Sequence, residues 1–258
     1  MALTVCTWNI NSVRLREGLV RRLMETEGPD VLCLQETKSP VEKIPTEGFE
    51  ALGYRWRLAR GEKGYNGVAI LSRVPMEDAG SLDFCAKGDA RHVAGRLEDG
   101  TLVHNLYVPA GGDVPDPEAN VKFRHKLDFV EEIRGRLGAP GGREVLVGDL
   151  NIAPRQDDVW SHVQMLKVVS HTPVETEALV AAQTAGGWVD AVRRHLPEGP
   201  LFSWWSYRAK DWAAADRGRR LDHVWTTPGI ETRGARILKA ARGWERPSDH
   251  APVFVELA

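Results

Sequence analysis

The stretch Leu3-Thr4-Val5-Cys6-Thr7-Trp8-Asn9-Ile10-Asn11 decides the fold when it is read together with Val31-Leu32-Cys33-Leu34-Gln35-Glu36. Leu3 to Trp8 is a short apolar run, which predicts a strand. Ser12 then offers an N-cap, and Val13, Leu15, Leu19, Val20, Leu23 and Met24 recur with mostly helical spacing as far as the Gly28-Pro29 stop. Val31 to Leu34 predicts a second, buried strand. A strand, a helix and a strand in this order predict layered α/β structure. Both strands close on polar side chains: Asn9 and Asn11 in the first, Gln35-Glu36 in the second.

The same pattern continues along the chain. Gly67 to Ser72 reads as a strand stopped by Pro75, and Arg91–Leu97 with Thr101–Val108 as a hairpin around the turn signal Glu98-Asp99-Gly100. After a Gly/Pro/Asp loop from Pro109, a helix is expected from about Pro117, with Phe123, Leu127, Val130, Ile133 and Leu137 on its apolar face. Glu144 to Val147 is again a buried strand, and it closes on Gly148-Asp149-Leu150-Asn151. A strand ending on Asn9 and another ending on Asp149 and Asn151 suggest two similar halves facing each other. Residues 153–200 read as loops and amphipathic helix, and Leu221–Thr226 and Pro252–Leu257 as the last strands. No linker or charge block interrupts the chain, so residues 1–258 are expected to form one domain.

Composition narrows the partners. The formal charge is −2, so no overall positive field announces nucleic acid, and any such surface must be a local patch. The three cysteines, Cys6, Cys33 and Cys85, are odd in number and lack a CxxC spacing; Cys6 and Cys33 sit inside apolar runs and read as buried hydrophobes. No apolar run is long enough to span a bilayer, and no basic, apolar leader opens the chain. The expectation is a cytoplasmic monomer without a membrane partner.

Carboxylates, amides and imidazoles at the ends of buried strands are costly unless they meet a partner. Several such ends in one chain suggest that the strands deliver a single polar cluster. Asn, Glu, Asp and His are hard-cation ligands and proton carriers, so the cluster reads as a metal-assisted hydrolase site. Asn9 and Asn11 suit helix capping as well as a site, and Glu36 suits solvent as well as a cation. In Gly148-Asp149-Leu150-Asn151 the glycine lets the backbone bend close to a ligand, and period-two alternation puts Asp149 and Asn151 on one side. Ser248-Asp249-His250 precedes the last strand, and Leu221-Asp222-His223 supplies a second acid that could hold His250 in one tautomer. His223, His92, His104, His162 and His171 read as structural.

From Phe202 to Arg220 aromatic and basic residues interleave: Trp204, Trp205, Tyr207, Arg208, Lys210, Trp212, Arg217, Arg219 and Arg220 among them. Core packing explains a few aromatics but not so many cations, and the mixture suits bases or sugars and a phosphate backbone. Lys122, Arg124, His125 and Lys126 form a second basic set, which reads either as phosphate-positioning or as a solvated face.

Thr-Trp-Asn-Ile-Asn at 7–11, Leu-Gln-Glu-Thr-Lys at 34–38, Gly-Tyr-Asn-Gly-Val-Ala-Ile-Leu-Ser at 64–72, Leu-Tyr-Val-Pro at 106–109, Gly-Asp-Leu-Asn-Ile-Ala at 148–153, Arg-Leu-Asp-His at 220–223 and Ser-Asp-His-Ala-Pro at 248–252 occur in this order. The set resembles the exonuclease III family of abasic-site endonucleases, within the endonuclease/exonuclease/phosphatase superfamily, over essentially the whole chain. The resemblance implies a four-layer α/β sandwich of deoxyribonuclease I type, in which two mixed β-sheets pack together between flanking helices. It implies hydrolysis of the phosphodiester 5′ to an abasic site in double-stranded DNA, with some 3′-5′ exonuclease or 3′-end-cleaning activity, and a Mg²⁺ cofactor that Mn²⁺ could replace. Glu36, Asp249 and Asn11 would surround the metal. Asn9 and Asn151 would orient the phosphate, Asp149 would activate water, His250 held by Asp222 would donate to the phosphate, and Tyr107 would stand near it. Trp204, Leu221 and Arg219 would wall a pocket for the base-less sugar, with Arg208 and Lys210 on the DNA backbone. Two positions depart from the family pattern: Ala110 stands where several relatives have Asn or Gln, and Asn11 where some have Asp.

Other hydrolases of the superfamily act on lipid or inositol phosphates or cut DNA generally. Many of them place His where Tyr107 stands and lack the Trp/Arg stretch. A non-enzymatic nucleic-acid-binding protein is expected to lose one of Glu36, Asp149, Asp249 or His250, and none is lost.

Overall fold

A computed structural model describes residues 2–258. The strands are β1 (Leu3–Asn9), β2 (Val31–Gln35), β3 (Trp56–Glu62), β4 (Tyr65–Ser72), β5 (Met76–Asp78), β6 (His92–Leu97), β7 (Leu102–Tyr107), β8 (Glu144–Asp149), β9 (Val189–Asp190), β10 (Trp204–Trp205), β11 (Gly218–Arg219), β12 (Asp222–Thr226), β13 (Thr232–Ile237) and β14 (Val253–Leu257). The helices are α1 (Glu17–Thr26), α2 (Glu47–Glu50), α3 (Val121–Arg136), α4 (His162–Met165), α5 (Pro173–Ala185), α6 (Ala191–His195) and α7 (Trp212–Ala215).

Twelve strands form two six-stranded mixed sheets, ordered β13-β14-β1-β2-β4-β3 and β5-β6-β7-β8-β12-β9; β10 and β11 make a small ribbon. Period-two alternation builds the layers. Val5, Val31 and Cys33 face Val103, Val145 and Val147 in a core between the sheets. Their neighbours face outward: Cys6, Leu32 and Leu34 pack under Val20, Leu23 and Met24 of α1. Leu146 packs under Phe129, Val130 and Ile133 of α3 and Leu179 of α5. Each fully buried Val, Leu or Phe contributes roughly 1.5–3 kcal/mol, which makes this double burial the dominant favourable force. The predicted four-layer sandwich is the fold observed.

The core between the sheets is not wholly apolar. Gln35 Nε2 donates to Thr7 Oγ1 (2.9 Å) and to Asn105 Oδ1 (2.7 Å). Asn105 Nδ2 in turn donates to the carbonyls of Leu34 (3.0 Å) and Ala69 (2.9 Å). An amide on β2 is thereby tied to an amide on β7 of the facing sheet.

The two sheets repeat one plan. Each has a single parallel pair at its centre, β1 with β2 and β7 with β8, flanked on both sides by antiparallel strands. A helix links the strands of each parallel pair, α1 in one and α3 in the other. The repeat therefore matches β1 to β7 and β2 to β8, a correction to the expected match of Asn9 with Asp149. Asn9 stands beside Gln35 in its sheet as Tyr107 stands beside Asp149 in the other.

Other expectations shift locally. Ser12 does not cap α1: it has φ 87°, and the helix begins at Glu17 after a turn that leaves Leu15 53% exposed. Helix α3 begins at Val121, four residues later than expected, because the Asn120 side chain accepts from Lys122 N–H and fixes the start. Strands β3 and β13 carry no sequence signal. Both are edge strands interrupted by charged residues, Arg57, Arg60 and Glu62 in β3 and Arg233 and Arg236 in β13, so neither shows an apolar run.

Candidate active site

The polar strand ends converge at one edge of the sandwich. From the first sheet and its loops come Asn9, Asn11, Glu36, Asp249 and His250; from the second come Tyr107, Asp149, Asn151 and Asp222. Asn9 lies at the centre. Its Nδ2 donates to Glu36 Oε1 and to Asp149 Oδ2, both at 2.9 Å, so one amide joins the two carboxylates. Asn11 (φ 48°), Glu36 (φ 48°), Lys38 (φ 49°) and Asn151 (φ 54°) all take the left-handed conformation, which costs a non-glycine residue about 1 kcal/mol or more and gathers at functional sites. Gly148 (φ 145°) is required for a different reason: a Cβ there would lie 1.9 Å from the Leu106 carbonyl oxygen, so only glycine lets β8 lie this close to β7 and aim Asp149.

Glu36 Oε1 accepts from the Tyr107 hydroxyl (2.9 Å), and Oε2 pairs with Lys38 Nζ (2.7 Å). Burial works against the Glu36 charge, but the Lys38 ammonium and the Asn9 amide outweigh it and hold the carboxyl below its usual range. Lys38 also donates to Asn11 Oδ1 (2.6 Å), and Asn11 Nδ2 reaches Asp249 Oδ1 (3.2 Å). Asp249 is half-buried; burial opposes its charge, but the charge of His250 and hydrogen bonds from Trp204 and Asn11 outweigh it and hold the carboxyl below its usual range. Two ionised carboxylates and an amide oxygen joined in this way form a hard-oxygen donor set that fits a Mg²⁺-like cation.

Asp149 is 1% exposed. Its Oδ1 accepts from Asn151 N–H (2.9 Å), and its Oδ2 from Asn9 and from Asn151 Nδ2 (3.2 Å). Burial dominates here and, with the charge of Asp222 beside it, pushes the carboxyl up to about 7 although His250 opposes the rise. His250 Nδ1 pairs with Asp222 Oδ2 (2.8 Å), and its Nε2 lies 3.7 Å from Asp149 Oδ2. Burial disfavours the imidazolium, yet Asp222 and Asp149 overcome it and raise the ring to about 10. Asp149, Asp222 and His250 place ligand atoms within 4.8 Å of one another. Because His250 is itself the cation between two acids, this group suits proton transfer better than metal binding. Burial, Glu36 and Asp149 raise the Tyr107 phenol well above its usual value, so it stays a donor.

Beside these groups lies a cleft of about 780 Å³. Trp204, Leu221, Arg219 and Arg208 line it, with Met165, Val168 and Val169. Lys210 is exposed and does not line the cleft. Trp204 is not purely a pocket wall either, since its Nε1 donates to Asp249 Oδ2 (2.9 Å). Arg220 is fully buried and paired with Asp158 (2.8 Å) and Asp190 (2.7 Å), so it braces the fold and does not meet a backbone phosphate. Lys126 is buried too, paired with Glu175 (2.5 Å) and donating to the Asn151 carbonyl (2.8 Å), so neither expectation for that basic set holds for it. His223 is structural, its Nε2 meeting the Ile152 carbonyl at 2.8 Å.

Three groups carry roles that the sequence did not announce. Lys38 bridges Glu36 and Asn11. Ser203 donates to Asp222 Oδ2 (2.6 Å), and Ser248 Oγ ties the His250 loop to the Asn9 carbonyl (2.6 Å). For Lys38 the signal was its place two residues after Glu36, and for Ser248 its place in Ser248-Asp249-His250; Ser203 had none.

The profile of the Endonuclease/Exonuclease/phosphatase family matches residues 6–250. Exodeoxyribonuclease III of Haemophilus influenzae is 29% identical over 97% of this chain and 98% of its own. An AP endonuclease from Archaeoglobus fulgidus superposes with a TM-score of 0.91 at 30% identity, covering 98% of each chain. A 3′ phosphatase from Neisseria, solved with a product DNA hairpin, superposes with a TM-score of 0.88 at 30% identity, covering 99% of each chain.

Proposed function

From the premise that the chain belongs to the endonuclease/exonuclease/phosphatase family, we propose that it is a DNA-repair hydrolase that cuts the phosphodiester 5′ to an abasic site in duplex DNA, with 3′-5′ exonuclease or 3′-end-cleaning activity beside it. The observation that carries this reading is the contact of Asn9 with both Glu36 and Asp149, at the rim of a cleft walled by Trp204, Arg219 and Leu221. We place the enzyme in the cytoplasm as a monomer. Among the described residues no helix is long and apolar enough to cross a membrane.

Glu36, Asp249 and Asn11 would hold Mg²⁺ or Mn²⁺, which when bound supplies positive charge to the phosphodiester. The remaining steps belong to the side chains. Asn9 and Asn151 orient the phosphate. His250, kept protonated by Asp222 and Asp149, donates from Nε2 to a phosphoryl oxygen. Asp149, ionised above about pH 7, takes the proton of a water aimed opposite the leaving 3′ oxygen. Tyr107 remains a neutral phenol and donates beside Glu36. The apolar side of the cleft accepts a sugar that has lost its base, which is also the nucleotide that leaves the stack at least cost.

Four matched duplexes test the proposal: abasic, recessed 3′ end, 3′-phosphate and intact. On a denaturing gel the abasic strand is cut on its 5′ side, the cut is abolished by a chelator, and it returns with Mg²⁺ or Mn²⁺. Equal cutting of abasic and intact duplexes, or none at the abasic site with either metal, removes it.

A further inference from the structure

Arg219 faces Trp204 directly across the β10–β11 ribbon, and its guanidinium stacks 4.9 Å from the indole centroid. Its Nη1 is occupied by the Val169 carbonyl (3.1 Å) and Ser170 Oγ (2.9 Å). Ser170 is itself fixed, because its N–H donates to Glu175, the buried partner of Lys126. The guanidinium is therefore held from beneath in one orientation. Its other donors are idle: Nε is buried without a partner, and Nη2 makes no hydrogen bond among the described residues. Arg220, the next residue, is paired with two aspartates, whereas Arg219 has no ion-pair partner among the described residues. Burial disfavours the charge on Arg219, and Glu175 offsets this only in part. A half-buried, stacked and rigid cation with free N–H groups on the wall of the cleft is costly in the empty protein and favourable once an oxygen acceptor arrives.

Resting on the abasic-site reading above, we infer that Arg219 reads the substituent at C1 of the extruded sugar and makes the cleft prefer lesions that carry an oxygen there. The phosphate of such a nucleotide is held at the polar strand ends. C1, from which the base was lost, then lies against the adjoining wall, which Trp204, Arg219 and Leu221 form. A C1 hydroxyl or carbonyl accepts from Nη2. A C1 that bears only hydrogen leaves the donor unpaired and desolvated. A site built to hydrogen-bond a group discriminates strongly against the analogue that lacks it.

The test uses three duplexes that differ only at C1 of the lesion: a tetrahydrofuran with hydrogen, the natural abasic sugar with hydroxyl, and the oxidised lactone with a carbonyl. The value of kcat/KM is measured for each with the intact protein and with Arg219→Leu. The wild type is expected to favour the lactone over the tetrahydrofuran by about ten- to hundredfold, with the hydroxyl between them. In Arg219→Leu the ratio is expected to fall toward one. A partly unfolded variant lowers all three rates alike and leaves the ratio intact, so a folding defect cannot mimic the result. A flat wild-type series, or a variant that keeps the wild-type ratio, overturns the role of Arg219 and leaves the abasic reading standing. If the wild type cuts none of the three, the abasic reading itself falls and this inference with it.

Discussion

Glu36 and Asp149 occupy related places, each at the end of the second strand of a β-α-β unit, and their electrostatics are opposite. Glu36 faces an ammonium at 2.7 Å, and its carboxyl is held below the normal range. Among the described residues Asp149 has no lysine or arginine partner; it lies beside Asp222 and is pushed up to about 7. The first sheet thus offers permanent negative charge, which suits a cation. The second offers a carboxylate that can accept and release a proton near neutrality. The backbone plan is shared, so the difference arises from the neighbours: Lys38 on one side, complete burial on the other.

The largest effect should come from breaking the proton-accepting half. Asp149→Asn keeps the side-chain shape but turns one acceptor oxygen into a donor, so the contacts from Asn9 and Asn151 cannot all persist; it is expected to slow single-turnover abasic cleavage at least roughly a hundredfold while DNA binding persists. Near-normal cleavage would take the role of base away from Asp149. Breaking the other half, Glu36→Ala should raise the Mg²⁺ concentration for half-maximal rate by about ten- to hundredfold, the scale on which altered metal sites lose affinity. An unchanged metal titration would place the cation elsewhere.

Trp204 touches both functions, through its bond to Asp249 and its face on the cleft. Trp204→Ala is expected to lower the abasic-to-intact cleavage ratio by roughly tenfold and to raise the metal requirement as well, whereas Leu221→Ala should change the ratio alone. If Trp204 is only core, melting shows a loss of about 3–5 kcal/mol with an unchanged ratio.

The smallest effect concerns stability, where the second sheet again differs. His92 and His223, both buried in it, have pKa values lowered to about 3 and about 4, in each case chiefly by burial. The unfolded chain takes up these protons near pH 6.5 and the folded one does not. Their contribution is full above 6.5 and is lost as pH falls, toward about 4 for His223 and about 3 for His92. His223→Gln removes one such proton, so its stability should depend less steeply on pH between 6.5 and 4, by about 1.4 kcal/mol per pH unit. Denaturant midpoints measured across that range decide it, and parallel curves would mean that His223 titrates normally in the fold.

What the sequence made legible follows from the range of each interaction. Buried central strands such as Val31–Gln35 and Glu144–Asp149 announce themselves, because both of their faces are apolar. The polar residues that end them were readable as one site for the same reason. Edge strands β3 and β13 were not, since half of each meets solvent. Partners distant in sequence were invisible: Arg220 and Lys126 looked available to phosphate, but Asp158 lies 62 positions away from the first and Glu175 49 from the second. A charge in a sequence does not say whether it has an ion-pair partner. The N-terminal drift of the α1 prediction has a local cause, because Ser12 turns left-handed to carry the chain around Asn11.

The amide link between Gln35 and Asn105 has a consequence for how the two sheets stay aligned. Half of the site rides on each sheet, and a purely apolar interface resists separation far better than it resists sliding, because the hydrophobic effect has no direction. Hydrogen bonds do have direction, and this one lies directly beneath the reacting groups: Gln35 immediately precedes Glu36, and Asn105 is two residues before Tyr107. It works as an alignment key between two plates, which holds Asp149 of one sheet and Glu36 of the other in register.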